Sequence, residues 1–256
     1  MTGANRPVAI ISGAASGIGR ATAVRLARRG DRVVIGHYAG DPHDPHETLR
    51  LVTEAGGEGL IVGLDVSSTA SVSDFVEAGL SAFGRIDHVV ANAGILRRAP
   101  FEAMTDAEWD DVLAVDLHGV MRLARAACPH LMRGASIVAI SSIAGGVYGW
   151  QEHVHYATAK AGVIGMMRSL AVELGPIGVR ANVVIPGIIE TPQSLDAQNS
   201  LGPEGLSRAG DYIPWGRVGT ADEVARVIEF LTSEQAEYVT GQSITVDGGL
   251  TVAMRD

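Results

Sequence analysis

Seven short apolar runs, at residues 8–11, 32–36, 59–64, 88–91, 136–140, 180–185 and 243–246, alternate along this 256-residue chain with segments long enough to be helices. The runs are apolar on both faces, as strands buried inside a parallel sheet must be. Between them lie helical patterns such as "GRATAVRLARRG", "TASVSDFVEAGLSAFG" and "DAEWDDVLAVDLHGVMRLARAACPHLM". Such alternation implies right-handed crossovers and an α/β fold, a doubly wound parallel sheet with helices on both faces. No linker, low-complexity tract or longer repeat interrupts it, so residues 1–256 are expected to form a single domain. The least regular stretch, 192–217, is rich in Gly, Pro, Ser and Asp. A segment of that length in a compact fold is expected to be a lid or binding loop.

A net charge of −9 argues against a nucleic-acid groove, which needs a basic stripe. The single cysteine, Cys128, has no partner for an internal disulfide; in the apolar stretch "LARAACPHLM" it reads as a small buried hydrophobe. No run approaches the ~18 apolar residues of a membrane span. The strand-like "PVAIIS" begins almost at the first residue, where a signal peptide would lie. A soluble cytoplasmic protein is the default, and nothing points to a metal.

After the first strand comes "SGAASGIGRATAVRLA", with Gly13, Gly17 and Gly19 leading into a helix. Glycines in a strand-to-helix turn let the backbone approach a pyrophosphate, and the helix start offers free N–H groups and partial positive charge. This is the phosphate end of a Rossmann-type sheet, with the spacing G-x-x-x-G-x-G. In that architecture a carboxylate ending the second strand would bind the ribose 2′-hydroxyl of NAD. Here "VVIGHYAG" places His37 there, which leaves room for a 2′-phosphate and favours NADP(H) over NAD(H). Asp65, ending the third strand, is a candidate for the adenine, or else a helix cap.

The chain contains one lysine, Lys160, four residues after Tyr156 in "YATAK". On a helix the two share a face. With five Tyr in 256 positions, a lone Lys would fall at i+4 from one by chance only about 2% of the time. A phenol titrates near 10, and a neighbouring ammonium is expected to lower that value and suit the group to give and take a proton. Upstream, "SIVAISSIAGG" ends a strand in Ser141 and Ser142, at the sheet edge where such folds place their sites. A hydroxyl there can hold a substrate carbonyl over the phenol; turn formation is the plainer use of such a pair.

Together "SGAASGIG", "ANAG" at 91–94, "ISS" at 140–142, "YATAK", "IPG" at 185–187 and "VDGG" at 246–249 resemble the short-chain dehydrogenase/reductase family, over residues 7 to 250. The resemblance assigns Ser142 to the substrate carbonyl, Tyr156 to acid/base work, and Lys160 to the phenol and the nicotinamide ribose. It adds Ser16, Ile18, Val66, Asn92, Ala93, Gly94, Pro186, Gly187, Ile188 and Thr191 to the cofactor residues, and implies a homo-oligomer, a tetramer in that family. Two departures stand out. Asp116 occupies a place where the family usually has Asn, within "VDL", and is expected to hold water or pair with Lys160. Tyr156 also follows Ser142 by 14 positions, one more than in close family members, so "GVYGWQEHVH" should reshape the substrate wall, with Trp150, His153 and His155 as candidates to touch substrate.

The implied function is an NAD(P)-dependent oxidoreductase interconverting a secondary alcohol and a ketone, such as a 3-oxoacyl thioester, a sugar or polyol, or another small carbonyl. An epimerase or dehydratase of the extended relatives would have a longer chain and another glycine spacing. A non-catalytic dinucleotide sensor would not need Ser142, Tyr156 and Lys160 intact.

Overall fold

The computed structural model describes residues 6–254. In chain order its elements are β1 Val8–Ile11, α1 Gly17–Arg29, β2 Arg32–His37, α2 Pro45–Glu54, β3 Glu58–Gly63, α3 Thr69–Phe83, β4 His88–Ala91, α4 Asp106–Asp116, α5 His118–Ala127, β5 Ser136–Ile140, α6 Ile143–Gly146, α7 Val154–Leu174, β6 Arg180–Pro186, β7 Ile189–Glu190, α8 Pro192–Leu195, α9 Gly202–Ala209, β8 Gly219–Thr220, α10 Ala221–Leu231 and β9 Ser243–Val246. Seven strands form one sheet in the order β3-β2-β1-β4-β5-β6-β9, and every pairing is parallel. The order reverses between β1 and β4, which opens the crevice where such sheets bind ligands.

One apolar layer packs α3, α5 and α7 on one face of the sheet, around Phe75, Leu123, Val163 and Met167. The other packs α1 and α10, through Leu26, Ile228 and Leu231. Residues of β1, β4, β5 and β6 are buried throughout, so the apolar runs seen in the sequence have no wet side to alternate toward. Two elements differ from expectation. The long pattern over 106–132 is broken at Leu117 (φ −117°, ψ −58°) into α4 and α5, and Asp116 sits at the break. Within 192–217, α8 and α9 supply regular structure, and the two-residue strands β7 and β8 pair across the base of the segment.

At the opposite, N-terminal edge of the sheet, His88 is buried, its Nδ1 3.0 Å from Ser136 Oγ and its Nε2 3.8 Å from Asp31 Oδ2. Burial, aided by the Arg29 charge, pushes its pKa from 6.5 down to about 3. The fold therefore favours the neutral ring while the unfolded chain takes up a proton, so this contribution is intact above pH 6.5 and is lost as pH falls toward 3. Denaturant unfolding at pH 7 and pH 5 should show the native chain losing about 2 kcal/mol more than His88→Gln over that interval. Equal losses would show that His88 is not held neutral.

Candidate active site

A cleft of about 450 Å³ opens at the C-terminal edge of the sheet. Its phosphate side is the turn between β1 and α1. Gly13 (φ +65°) and Gly17 (φ +52°) adopt left-handed backbone, and a Cβ on Gly19 would lie 2.2 Å from the Gly13 carbonyl oxygen. The turn is thus packed to a closeness only glycine permits. Ser16 begins α1 without a side-chain bond to the first turn, which leaves the helix's first N–H groups facing the cleft lined by Gly13, Ser16, Gly17 and Ile18. An uncapped helix start above a glycine turn fits a pyrophosphate. Asn92 braces the turn from β4, its Nδ2 donating to the carbonyls of Ser12 and Gly13 at 3.0 Å.

On the chemical side, β5 ends in the two serines, and the fold separates their roles. Ser141 is buried and donates to the Lys160 carbonyl at 2.7 Å, tying the strand to α7. Ser142 begins α6, accepts from Ala144 N at 3.1 Å and lines the cleft with Tyr156, whose phenol its hydroxyl pulls downward. Tyr156 and Lys160 lie one turn apart in the first half of α7, both lining the cleft. Lys160 Nζ is 5.6 Å from the centre of the Tyr156 ring, donates to the Ile140 carbonyl at 3.2 Å and stands 2.9 Å from Asp116 Oδ2. The break between α4 and α5 presents that carboxylate, whose other oxygen accepts from Ile95 N at 2.8 Å. A Cβ on Gly94 would come 2.9 Å from Asp116 Oδ2 and 3.2 Å from Lys160 Nζ, so glycine there makes room for the pair.

Burial governs the electrostatics. It pushes the Asp116 carboxyl above its usual range, against the pull of Lys160. It works to lower Lys160, yet the Asp116 carboxylate and Tyr156 outweigh it and leave the ammonium raised. The Tyr156 phenol is raised by burial; Lys160 pulls it down as expected, but Asp116 pushes it back up. The ammonium's lowering of the phenol, anticipated from the i, i+4 spacing, is therefore present but overridden, first by the phenol's own burial and then by the Asp116 carboxylate.

Most of the residues singled out from the sequence meet at this cleft: Gly13, Ser16, Gly17, Ile18, Asn92, Ala93, Gly94, Asp116, Ser142, Trp150, Tyr156, Lys160, Pro186, Gly187, Ile188 and Thr191. Six do not line it. Gly19 lies behind the turn, and His37 ends β2 paired with Gly63 of β3. Asp65 accepts from the backbone N–H and hydroxyl of Ser67, closing a local turn. Val66 packs on Gly119. His153 is fully buried and stacks on Trp150 at 4.0 Å. Its Nδ1 is 2.7 Å from the Gln151 carbonyl and its Nε2 3.0 Å from the Asn199 carbonyl. His155 is buried as well, accepting from Tyr156 N at 2.9 Å. Both histidines are held by backbone groups, of Gln151 and Asn199 for His153 and of Tyr156 for His155, and within the lengthened loop Glu152 takes a left-handed φ of 62°.

Sequence reasoning missed Leu96, Tyr148, Leu201, Tyr212 and Leu250, which also line the cleft. Tyr148 donates to the Leu250 carbonyl at 2.9 Å, a contact spanning 102 positions that no local pattern signals. Asp41, beyond β2, lies on the cleft too, 2.6 Å from His43 Nδ1. Among the described residues no cluster of His, Cys, Asp and Glu could hold a metal, and no helix is long and apolar enough to cross a membrane.

Residues 13–251 match the family described as enoyl-(acyl carrier protein) reductase. The 3-oxoacyl-[acyl-carrier-protein] reductase of Thermotoga maritima is 41% identical over 252 residues, covering 96% of this chain and 98% of that protein. The L-rhamnose 1-dehydrogenase (NAD(P)(+)) of Azotobacter vinelandii is 39% identical, over 96% of this chain and 97% of its own. In structure, a crystallised levodione reductase superposes with a TM-score of 0.89 at 35% identity, over 97% of this chain and 98% of that one.

Proposed function

Since this chain belongs to the short-chain dehydrogenase/reductase family, and is an oxidoreductase using a nicotinamide dinucleotide, we propose that it interconverts a ketone and a secondary alcohol through Ser142, Tyr156 and Lys160. The observation that carries this reading is the convergence, on one cleft with the glycine turn, of Ser142, Tyr156 and a buried lysine one turn beyond the tyrosine.

The dinucleotide, when bound, supplies or accepts the hydride, two electrons with one hydrogen nucleus, at the carbonyl carbon. The glycine turn and the start of α1 would hold its phosphates, and Asn92, Ala93, Gly94, Ile188 and Thr191, which line the same cleft, would flank it. Ser142 donates to the substrate carbonyl oxygen, and Tyr156 releases its phenolic proton to that oxygen as the C=O π bond opens. Lys160 steadies the phenolate left behind; the Asp116 carboxylate keeps it charged.

A raised phenol pKa keeps Tyr156 protonated at neutral pH, the form that donates to a ketone, and leaves little phenolate to take a proton from an alcohol. Ketone reduction should therefore be nearly flat across neutral pH, while alcohol oxidation should climb as pH rises toward the phenol's raised value. Initial rates in both directions from pH 6 to about 10.5 would check this. An oxidation rate already level at neutral pH would mean that the phenolate forms far more easily than its burial allows.

NADP(H) is the favoured dinucleotide, since His37 ends β2 where a carboxylate would select the 2′-hydroxyl. Fluorescence titration with NADPH and, separately, NADH tests this. NADPH tighter by about tenfold or more is expected, corresponding to about 1.4 kcal/mol. Tighter NADH would assign the ribose to Asp41, and binding of neither would sink the proposed activity. A homo-oligomer is also proposed: α7 leaves Val154 and Val172 exposed, the latter at 79%, and Val252 and Met254 stand out near the end of the chain. Light scattering after size exclusion should return a mass near four times 26.7 kDa.

A further inference from the structure

We infer that the substrate of this site is a small, uncharged ketone with an apolar body that seats against Trp150; the inference rests on the oxidoreductase reading above. The walls around Tyr156 lead to it. Tyr156 is packed in one apolar cluster with Leu96, Val112 and Ala144, and Trp150 leans on the same cluster. Tyr148, Leu201 and Leu250 continue the lining of the cleft.

Charge is scarce there. Among the described residues lining the cleft, the charged side chains are Asp41, Asp116 and Lys160. Asp41 stands in the loop after β2, against His43. Asp116 and Lys160 neutralise one another at 2.9 Å. Arg98, from the neighbouring loop, does not line the cleft and is engaged by Glu152 at 3.4 Å and by the Ser200 carbonyl at 3.3 Å. A substrate carboxylate or phosphate would thus lose its water without gaining a cation.

Several of the cleft's hydroxyls are already engaged. The Ser141 hydroxyl is committed to the Lys160 carbonyl, Tyr148 to the Leu250 carbonyl, and Thr191 and Ser194 to each other's capping bonds. Ser142 and Tyr156 are needed at the reacting carbonyl. A ketose would press hydroxyls against Leu96, Ala144, Leu201 and Leu250, whose side chains offer them no partner, and such groups are costly to leave unpaired.

The lengthened loop makes this wall stiff. Trp150 lies against His153 with ring planes 17° apart, and both nitrogens of that histidine sit on backbone carbonyls, one from Gln151 and one from Asn199. The second carbonyl adjoins Ser200 and Leu201, themselves on the cleft. His153 is thus a positioning residue: it holds the indole and fastens the segment after β7 to it. Trp150 is the side chain that touches substrate.

The test compares purified enzyme, with whichever dinucleotide binds, on cyclohexane-1,4-dione, acetoacetate and a ketohexose. The dione should give a kcat/KM higher than either by about tenfold or more. Trp150→Ala should raise the dione KM by about tenfold with kcat nearly unchanged, and Trp150→Phe should recover most of that loss. Calorimetric titration of the alcohol product into the enzyme–dinucleotide complex should show the same order of affinities without turnover. A preference for acetoacetate or the ketohexose, or an unchanged dione KM in a folded Trp150→Ala, would overturn the inference while leaving the oxidoreductase reading in place. Dinucleotide binding without turnover of any of the three would overturn both.

Discussion

Tyr156→Phe should lower ketone reduction by about 10²–10⁴-fold while dinucleotide affinity stays within a factor of about two. The substitution removes one oxygen and leaves the ring, which packs against Leu96, Val112 and Ala144 and is only 8% exposed. What is lost is the hydroxyl that faces the cleft with Ser142, so the carbonyl oxygen keeps Ser142 to orient it but has no acid beside it. The stability cost should be no more than the roughly 1 kcal/mol of a single hydrogen bond. Single-turnover rates with saturating dinucleotide separate the loss of chemistry from any loss of binding. A variant retaining more than a tenth of the native rate would show that the proton comes from elsewhere, with water held near Lys160 as the next candidate.

Lys160→Met should be the most destabilising single change in the site. It leaves the Asp116 carboxylate, fully buried, with only the Ile95 N–H for compensation. Breaking one side of a buried ion pair costs about 3–5 kcal/mol, on the order of 10 °C in Tm for a chain of this length. The pH dependence has a definite sign. Asp116 already titrates above its usual range, and without the cation it is raised further. The folded variant then binds a proton more tightly than the unfolded chain, so its deficit is largest at neutral pH and shrinks as pH falls and the carboxyl is neutralised. Adding Asp116→Asn should restore most of the stability, because the amide oxygen can still accept from Ile95 N and no buried charge remains. It should not restore turnover, since the cation beside Tyr156 is still absent. Thermal unfolding of the single and double variants at pH 5 and 7.5 reads both effects. Recovery of activity together with stability would mean that Lys160 serves only to neutralise Asp116.

The central strand positions were legible because β1, β4, β5 and β6 are buried on both faces and announce themselves as apolar runs, as at 8–11 and 136–140. The glycine turn was legible because positive φ and close backbone approach at Gly13 and Gly17 leave little choice of residue. Tyr156 and Lys160 were legible because a helix converts a spacing of four into a shared face. Less could be read of the break at Leu117. Its apolar spacing continues from α4 into α5, and the turn is stabilised by groups far away in the chain, Ile95 and Lys160, that meet Asp116 from other elements.

The histidines of the inserted loop mark the same boundary. His153 and His155 have the composition of ligand-binding residues, and sequence alone offered them to the substrate. Burial and two backbone carbonyls make His153 a strut for Trp150, and Asn199, which supplies one of them, is 46 residues away. The wall of Tyr148, Leu201 and Leu250 likewise exists only where three distant segments converge. Sequence by itself determined the elements, the phosphate turn and the tyrosine–lysine face, since each depends on backbone periodicity or on the conformational freedom of one residue type. Tertiary structure alone decided which charges are paired, which way burial moves the phenol, and what kind of surface the substrate meets, since desolvation and pairing depend on neighbours that the chain brings together only when folded.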